Sequence, residues 1–350
     1  MSVATIQEML AAKGAALGSY RGAETPAGFG DTAAEFRALL EGCVLFDMSW
    51  QAKLVLTGED RVRWLNGMVT NNIRDLAPGH GVYCFLLNAQ GRIQGDMVAY
   101  NRGDHLLITT ERAQAPNIAA TFDRYIIMDD VEVADISDKL ASIGVAGPKA
   151  REVLSAAGID GAQLEAGQVI DTVWHDIGIS VARSTQPHMD GYEIWFAVEN
   201  ADKMWDALQR AGATPAGSDA LELYRIVRGV PRFGLDLRER DLPQETEQRH
   251  ALNFAKGCYI GQEIVERIRA RGSVHRTFTG FEVQGDPPPP ETKIRANDKD
   301  VGETTSAARI PFLGGEKTLA LGYLRREVAA PGTSVQIGDQ SATVQNLPFR

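Results

Sequence analysis

Asn253-Phe254-Ala255-Lys256-Gly257-Cys258-Tyr259-Ile260-Gly261-Gln262-Glu263-Ile264-Val265-Glu266-Arg267-Ile268-Arg269-Ala270-Arg271-Gly272 is the stretch around which this chain is organised. It sets one of three cysteines in a glycine-flanked turn and follows it at once with a run of helical periodicity. Gly257 and Gly261 allow backbone angles that a β-carbon resists, so a tight turn around Cys258 is expected. From Gln262, the residues Ile264, Val265 and Ile268 form an apolar stripe, and Gly272 is a C-terminal stop. A thiol just ahead of a helix N-terminus lies near unpaired N–H groups, and Lys256 is two residues away; both favour thiolate. The other reading of Cys258 is a small hydrophobe buried in a packed turn.

At 350 residues the chain exceeds one ordinary core and points to two or three domains. Its longest apolar runs, such as Cys84-Phe85-Leu86-Leu87, are too short to span a bilayer, and no membrane association is expected. Glu8 and Lys13 interrupt the N-terminal apolar positions, which do not read as a signal peptide. The cysteines, at 43, 84 and 258, form no C-x-x-C pair, and an odd count argues against a disulfide framework. A reducing, cytoplasmic setting is expected.

The formal net charge of −10 disfavours nucleic-acid binding. Basic residues nevertheless gather between 225 and 276: Arg225, Arg228, Arg232, Arg267, Arg269, Arg271, His275 and Arg276. One basic zone on an acidic chain fits a small anionic ligand. A solvated helix face, with Glu263–Arg267 and Glu266–Arg269 as intrahelical pairs, accounts for the second cluster equally well.

In chain order, helices are predicted at 5–16 and 32–41, a strand at 53–57, and a helix opened by Gly58-Glu59-Asp60. The turn Asn88-Ala89-Gln90-Gly91 joins strands 82–87 and 93–100 in a hairpin. A strand at 105–109, a helix at 113–125 and a strand at 131–136 follow. A helix begins at Gly147-Pro148, then strands near 168–174, 177–183 and 192–198, then helices at 200–211 and 218–229. This alternation predicts an α+β fold with antiparallel sheets, and no phosphate-binding glycine loop is present. The run Asp286-Pro287-Pro288-Pro289-Pro290-Glu291 reads as a linker, and the short strand-like runs from 292 to 350 as a small β-barrel.

Candidate chemistry is sparse. Asp96 sits in a strand otherwise rich in apolar residues: inward it must be hydrogen-bonded or used, outward it is an ordinary edge residue. Arg225, among Leu221, Leu223 and Ile226, either reaches a carboxylate ligand with its planar fork or pairs with Glu222 or Asp219. The scattered histidines give no metal site. Ser49, Ser184 and Ser273 lack the setting of a nucleophile elbow.

Lys256-Gly257-Cys258-Tyr259-Ile260-Gly261-Gln262-Glu263 resembles the signature of the YgfZ family of folate-binding proteins, relatives of the glycine-cleavage T-protein (aminomethyltransferase). The resemblance runs along nearly the whole chain. Cys43–Ser49 resembles the segment G-L-F-D-x-S, and Asn88–Asp96 the turn N-x-x-G-G-I-x-D-D. Ala146–Ala150 is similar to Q-G-P-x-A, Tyr224–Pro231 to R-x-x-x-G-x-P, and Leu347-Pro348-Phe349 to the end of the C-terminal barrel.

The resemblance implies three domains in a ring: 1–140 with 225–284 (folate-binding), 141–224 (a second α+β domain) and 285–350 (a C-terminal β-barrel). It implies tetrahydrofolate, or a one-carbon derivative of it, as cofactor. Asp96 would be the catalytic aspartate and Cys258 the functional thiol of the motif. Arg225, Tyr83, Tyr192 and Asp96 itself would bind the cofactor. Two positions depart from the T-protein pattern: Gly95 replaces the first aspartate of the D-D pair, and Met189 replaces the glutamate that grips the pterin. A thioether does not match the pterin N–H donors.

Three functions follow as expectations. The leading one is a tetrahydrofolate-binding protein that supports iron–sulfur cluster assembly or repair, and the tRNA modification depending on it, with iron–sulfur assembly or target proteins as partners. The alternative is a folate-dependent aminomethyltransferase or other one-carbon transferase. A third is a non-catalytic folate-sensing adaptor.

Overall fold

The computed structural model describes residues 5–272, 274–311 and 315–349; Ser273 and the Arg271 side chain lie outside the described set. The chain divides into two compact units. Unit 1 gathers residues 1–67, 71–84 and 97–221, and unit 2 gathers 68–70, 85–96 and 222–350. The fold is α+β throughout.

In chain order the first part holds α1 (Ile6–Ala12), β1 (Ala16–Tyr20), β2 (Ala23–Gly28), α2 (Thr32–Glu41), β3 (Val44–Asp47), β4 (Gln51–Thr57) and α3 (Arg61–Met68). The hairpin strands β5 (His80–Leu87) and β6 (Ile93–Asn101) follow, then β7 (Leu106–Glu111), α4 (Ala115–Tyr125), β8 (Glu132–Asp135), β9 (Leu140–Ala146) and α5 (Ala150–Ala156). Next come β10 (Val169–Trp174), β11 (Ile177–Arg183), β12 (Gly191–Ala197), α6 (Ala201–Arg210), β13 (Thr214–Pro215) and α7 (Ser218–Arg228).

These elements build a five-stranded sheet in the order β5-β6-β7-β4-β8 and a six-stranded sheet in the order β10-β11-β12-β9-β3-β13. The second sheet is antiparallel except where β13 joins β3 in parallel. Its core side carries Val145, Ile179, Val181, Ile194 and Phe196, covered by Met204, Trp205 and Leu208 from α6. Positions 204, 205 and 208 recur at helical spacing, so one stripe of α6 is buried and the rest stays wet. At the start of α2, Asp31 caps the helix by accepting from the Ala33 and Ala34 N–H groups.

The helices and strands predicted between 5 and 229 all exist, with ends moved by a few residues. One placement changes: α3 starts at Arg61, so Glu59 and Asp60 precede the helix rather than fill its first turn. Asp60 instead accepts a hydrogen bond from the Asp130 N–H at 3.0 Å.

The later part contains α8 (Gln262–Arg271), β14 (Arg276–Val283), β15 (Lys293–Ala296), β16 (Lys299–Ile310), β17 (Lys317–Arg325), β18 (Ser334–Ile337) and β19 (Gln340–Gln345). The expected barrel is present: β14-β17-β16-β15-β18-β19 closes on itself through β14–β19 pairing, which leaves no open edge. Phe281, Val283, Ile294, Leu324, Ile337 and Val344 fill it. The proline run does not precede the barrel as a linker. It lies between β14 and β15, so it is a loop within the barrel, where a chain without N–H donors is tolerated. Among the described residues no helix is long and apolar enough to cross a membrane.

Candidate functional site

Unit 2 brings together two stretches that the sequence singled out. The Asn88–Gly91 turn is closed by a bond from the Gly91 N–H to the Asn88 carbonyl at 2.9 Å. Against it lies Gly261, which caps α8 with a left-handed φ of +82°. A β-carbon at Gly261 would stand 2.6 Å from the Asn88 oxygen, and one at Gly91 would stand 2.8 Å from the Ile264 side chain. Both positions therefore exclude side chains, and the hairpin tip seats directly on the turn that carries the cysteine motif.

Within that motif Cys258 is exposed, four residues ahead of α8, while Tyr259 is buried. Lys256 is also buried; its Nζ donates to the Val69 carbonyl at 2.5 Å and lies 4.9 Å from the centre of the Tyr259 ring. Lys256 thus anchors the turn from below. Of the two readings of Cys258, the solvent-facing thiol is the one the fold adopts. Cys43 and Cys84 are buried, and burial pushes the Cys43 thiol up to about 12. On α8 the pairs Glu263–Arg267 (2.6 Å) and Glu266–Arg269 (3.5 Å) form along an exposed face. Gln262 and Glu263 open the helix, and Gly257 keeps its chain exposed in the turn.

Asp96 lies in β6, where burial alternates: Ile93, Gly95 and Met97 are buried, while Gln94, Asp96 and Val98 are half-buried. Its carboxylate therefore stands on the less enclosed face of the strand, partnered but within reach of solvent. Of the two orientations left open above, neither extreme holds.

Arg225 is 1% exposed. Its Nη1 donates to Asp236 at 2.6 Å and to the Val230 carbonyl at 2.8 Å; its Nη2 donates to Ser306 at 2.9 Å and to Glu222. Asp236 is fully buried and also accepts from Thr305 and Ser306 of β16. The guanidinium therefore spends its fork inside unit 2, tying α7 to the barrel.

Tyr83 and Tyr192 belong to unit 1. Tyr192 is 1% exposed, donates its hydroxyl to the Ala162 carbonyl at 2.6 Å and lies under Arg183 at 4.5 Å. Tyr83 is buried in β5, its carbonyl accepting from Asn71. Met189 is half-buried in the loop before β12.

Unit 1 also holds a polar cluster that sequence reasoning missed. Lys53 of β4 is 1% exposed and donates from Nζ to Gln51 at 3.1 Å and to Ser142. Gln51 in turn donates to Glu193 at 2.8 Å, as does the Trp195 indole at 3.2 Å. Asp47 is buried and accepts from both the N–H and the hydroxyl of Ser49. Desolvation dominates all three charges. It raises Asp47 to about 6, raises Glu193, and lowers Lys53 to about 8 against the pull of Glu193 and Asp47. The available signal was a lysine inside the apolar strand Ala52-Lys53-Leu54-Val55-Leu56, read there only as strand.

Residues 6–256 match the family described as GCVT N-terminal domain, and residues 276–349 match the glycine cleavage T-protein C-terminal barrel domain. An aminomethyltransferase of Rubrobacter xylanophilus is 28% identical over 344 residues, 97% of this chain and 91% of its own. One from Herpetosiphon aurantiacus is 28% identical over 359 residues, covering 97% of this chain and 95% of its own. The glycine cleavage system aminomethyltransferase T of Bartonella henselae shares the fold, with a TM-score of 0.88 over 100% of this chain and 98% of that one at 21% identity.

Proposed function

Because the chain belongs to the glycine-cleavage T-protein (GCVT) family, we propose that it binds tetrahydrofolate and transfers a one-carbon group as an aminomethyltransferase or related transferase. Support comes from the length of the match: both domain families are represented in order, and the curated relatives aligned across nearly all of the chain are aminomethyltransferases. The observation that carries the reading to a residue is the half-buried carboxylate of Asp96 on β6.

The donor set fits a reduced pterin at this carboxylate, since an acceptor-only side chain suits the N–H-rich edge of such a ring. It does not fit at Arg225, whose Nη1 and Nη2 are engaged by Val230, Asp236, Glu222 and Ser306. Arg225 enters the reading as a positioning residue. Tetrahydrofolate, when bound, supplies nitrogens able to accept a one-carbon unit. Asp96 would hold or take up a proton at its carboxylate oxygen as an amine donor releases that unit. The half-buried setting suits this role, because the carboxylate keeps a path to water through which a proton can come and go. Tyr83 and Tyr192 stay in the proposal as cofactor-side aromatics, and its domain scheme is three-part, with the C-terminal barrel starting at β14, residue 276, rather than at 285.

One observation favours a second reading. Cys258 is exposed at the crest of a rigid, glycine-built turn, where a transferase working through Asp96 alone has no use for a thiol. That arrangement supports a YgfZ-type role in iron–sulfur cluster assembly or repair, with Cys258 as the working group.

Titrating tetrahydrofolate against wild type, Asp96→Asn and Cys258→Ala while following tryptophan fluorescence separates the two. Turnover of an aminomethylated carrier that Asp96→Asn abolishes supports the transferase. Intact folate binding by Cys258→Ala, with failure to rescue iron–sulfur enzymes in a deficient strain, supports the second reading. Absence of folate binding in every form removes both.

A further inference from the structure

Unit 1 contains a cavity of about 490 Å³ that no part of the proposed chemistry uses. Its buried lining mixes the polar residues Gln51, Ser137 and Ser142, each less than 7% exposed, with the apolar Met48 and Ala141. Its mouth is lined by Glu24 and Asp138, both exposed, and by the apolar side chain of Val198.

The buried end is a donor surface. Lys53 Nζ donates to the Ser142 oxygen, so the Ser142 hydrogen must point elsewhere, and no described acceptor takes it. An ammonium behind that hydroxyl polarises it further. Beside it, Arg112 is held through Nε to the Ser49 carbonyl at 2.6 Å and through Nη2 to Asp138 at 2.9 Å. Its Nη1 carries no bond to a described residue. A hydroxyl hydrogen and a guanidinium edge line the cavity, next to the Asp138 carboxylate that pairs with Arg112 Nη2 at 2.9 Å, and Glu24 adds a second carboxylate to the lining. A dianion such as phosphate would enter past like charge, and a simple amine would leave the donors unmatched.

We propose that this cavity binds a small zwitterion of the α-amino-acid class, its carboxylate on the Ser142 hydroxyl and the Arg112 edge and its ammonium towards Glu24 and Asp138. The site lies within unit 1 and stands independently of the folate reading.

The test is calorimetric titration of the full-length protein with each of the twenty L-amino acids, with acetate and ethylamine as half-ligands. At least one amino acid should bind, and both half-ligands should bind at least about tenfold more weakly, since each loses one charged end. Ser142→Ala should weaken that binding about tenfold, the worth of one buried hydrogen bond. Arg112→Gln should weaken it by about tenfold or more. Val198→Trp, a half-exposed change at the mouth, should block entry while the melting temperature stays near that of wild type. The proposal is overturned if no amino acid binds at about 10 mM, roughly the weakest affinity worth calling a site. It is equally overturned if acetate binds as tightly as the amino acids, or if Val198→Trp folds and binds like wild type.

Discussion

Gly91 and Gly261 meet face to face: a β-carbon on Gly261 would lie 3.1 Å from the Gly91 Cα. The two residues are far apart in sequence, yet a side chain is shut out at both, by the Asn88 oxygen at Gly261 and by Ile264 at Gly91. Their contact joins the strand hairpin that leads to Asp96 with the turn that displays Cys258. The backbone of both is left-handed, with φ of +70° and +82°. Gly261→Ala should therefore cost about 1–3 kcal/mol from strain and collision with the Asn88 oxygen. Urea denaturation measures it, and an unchanged midpoint would show that the turns can separate freely.

Replacing Asp96 by asparagine keeps the shape and removes the proton acceptor. If the carboxylate works as proposed, aminomethyl transfer should fall by about 10²-fold or more while the melting temperature moves little. Steady-state rates with the aminomethylated carrier, read beside a melting curve, check both halves of the statement.

For the cysteines, exposure sets a clear order. Iodoacetamide should label Cys258 in the native protein and leave Cys43 and Cys84 unmodified until denaturant is added. Cys258→Ser should change stability by no more than about 0.5 kcal/mol, as expected for an exposed position. Peptide mass mapping gives the labelling order.

Arg225→Met should destabilise the protein by about 3–5 kcal/mol, because Asp236 would be left buried without its cation. The double variant Arg225→Met, Asp236→Leu should recover part of that loss. Denaturation midpoints of the single and double variants decide whether this pair is structural.

Stability should also respond to pH through Asp47 and Lys53. The Asp47 carboxyl is raised from 3.8 to about 6, so the folded state holds a proton that the unfolded chain has released. Stability from this group is present at low pH and is lost as pH rises through about 6. Lys53 is lowered from 10.5 to about 8, so between those values the unfolded chain binds the extra proton and stability rises with pH. Asp47→Asn should flatten the first slope between pH 4 and 6, a window set by the same shift. Denaturation midpoints across pH for both proteins test it.

Much of the architecture was legible because periodicity and turn chemistry are local. The Asn88–Gly91 hairpin, α6, α8 with its Gly272 stop, and the C-terminal barrel all announce themselves in spacing and glycine placement. The strands β3 and β9 were not legible: Val44–Asp47 and Leu140–Ala146 are short, nearly all-buried runs without alternation. The barrel boundary was misplaced because a proline run marks a loop equally well inside a domain and between domains. At the site, Cys258 stood out by its glycines. Arg225 looked the same from sequence whether it gripped a ligand or a buried aspartate, since Asp236 lies in an irregular segment. The Lys53 cluster draws Ser142 from β9 and Glu193 from β12, separations of 89 and 142 residues that no local pattern encodes.

The hairpin tip also has a bearing on how the protein is made. Residues 85–96 leave the ribosome early, but the unit they complete is finished only by residues 222–350. A nascent chain paused near residue 220 would carry an unclaimed loop for the time needed to synthesise over a hundred further residues, about 6–26 seconds at ordinary elongation speeds. During that interval the tip is a natural target for a holding chaperone, and a protein truncated before Gly261 would never bury it.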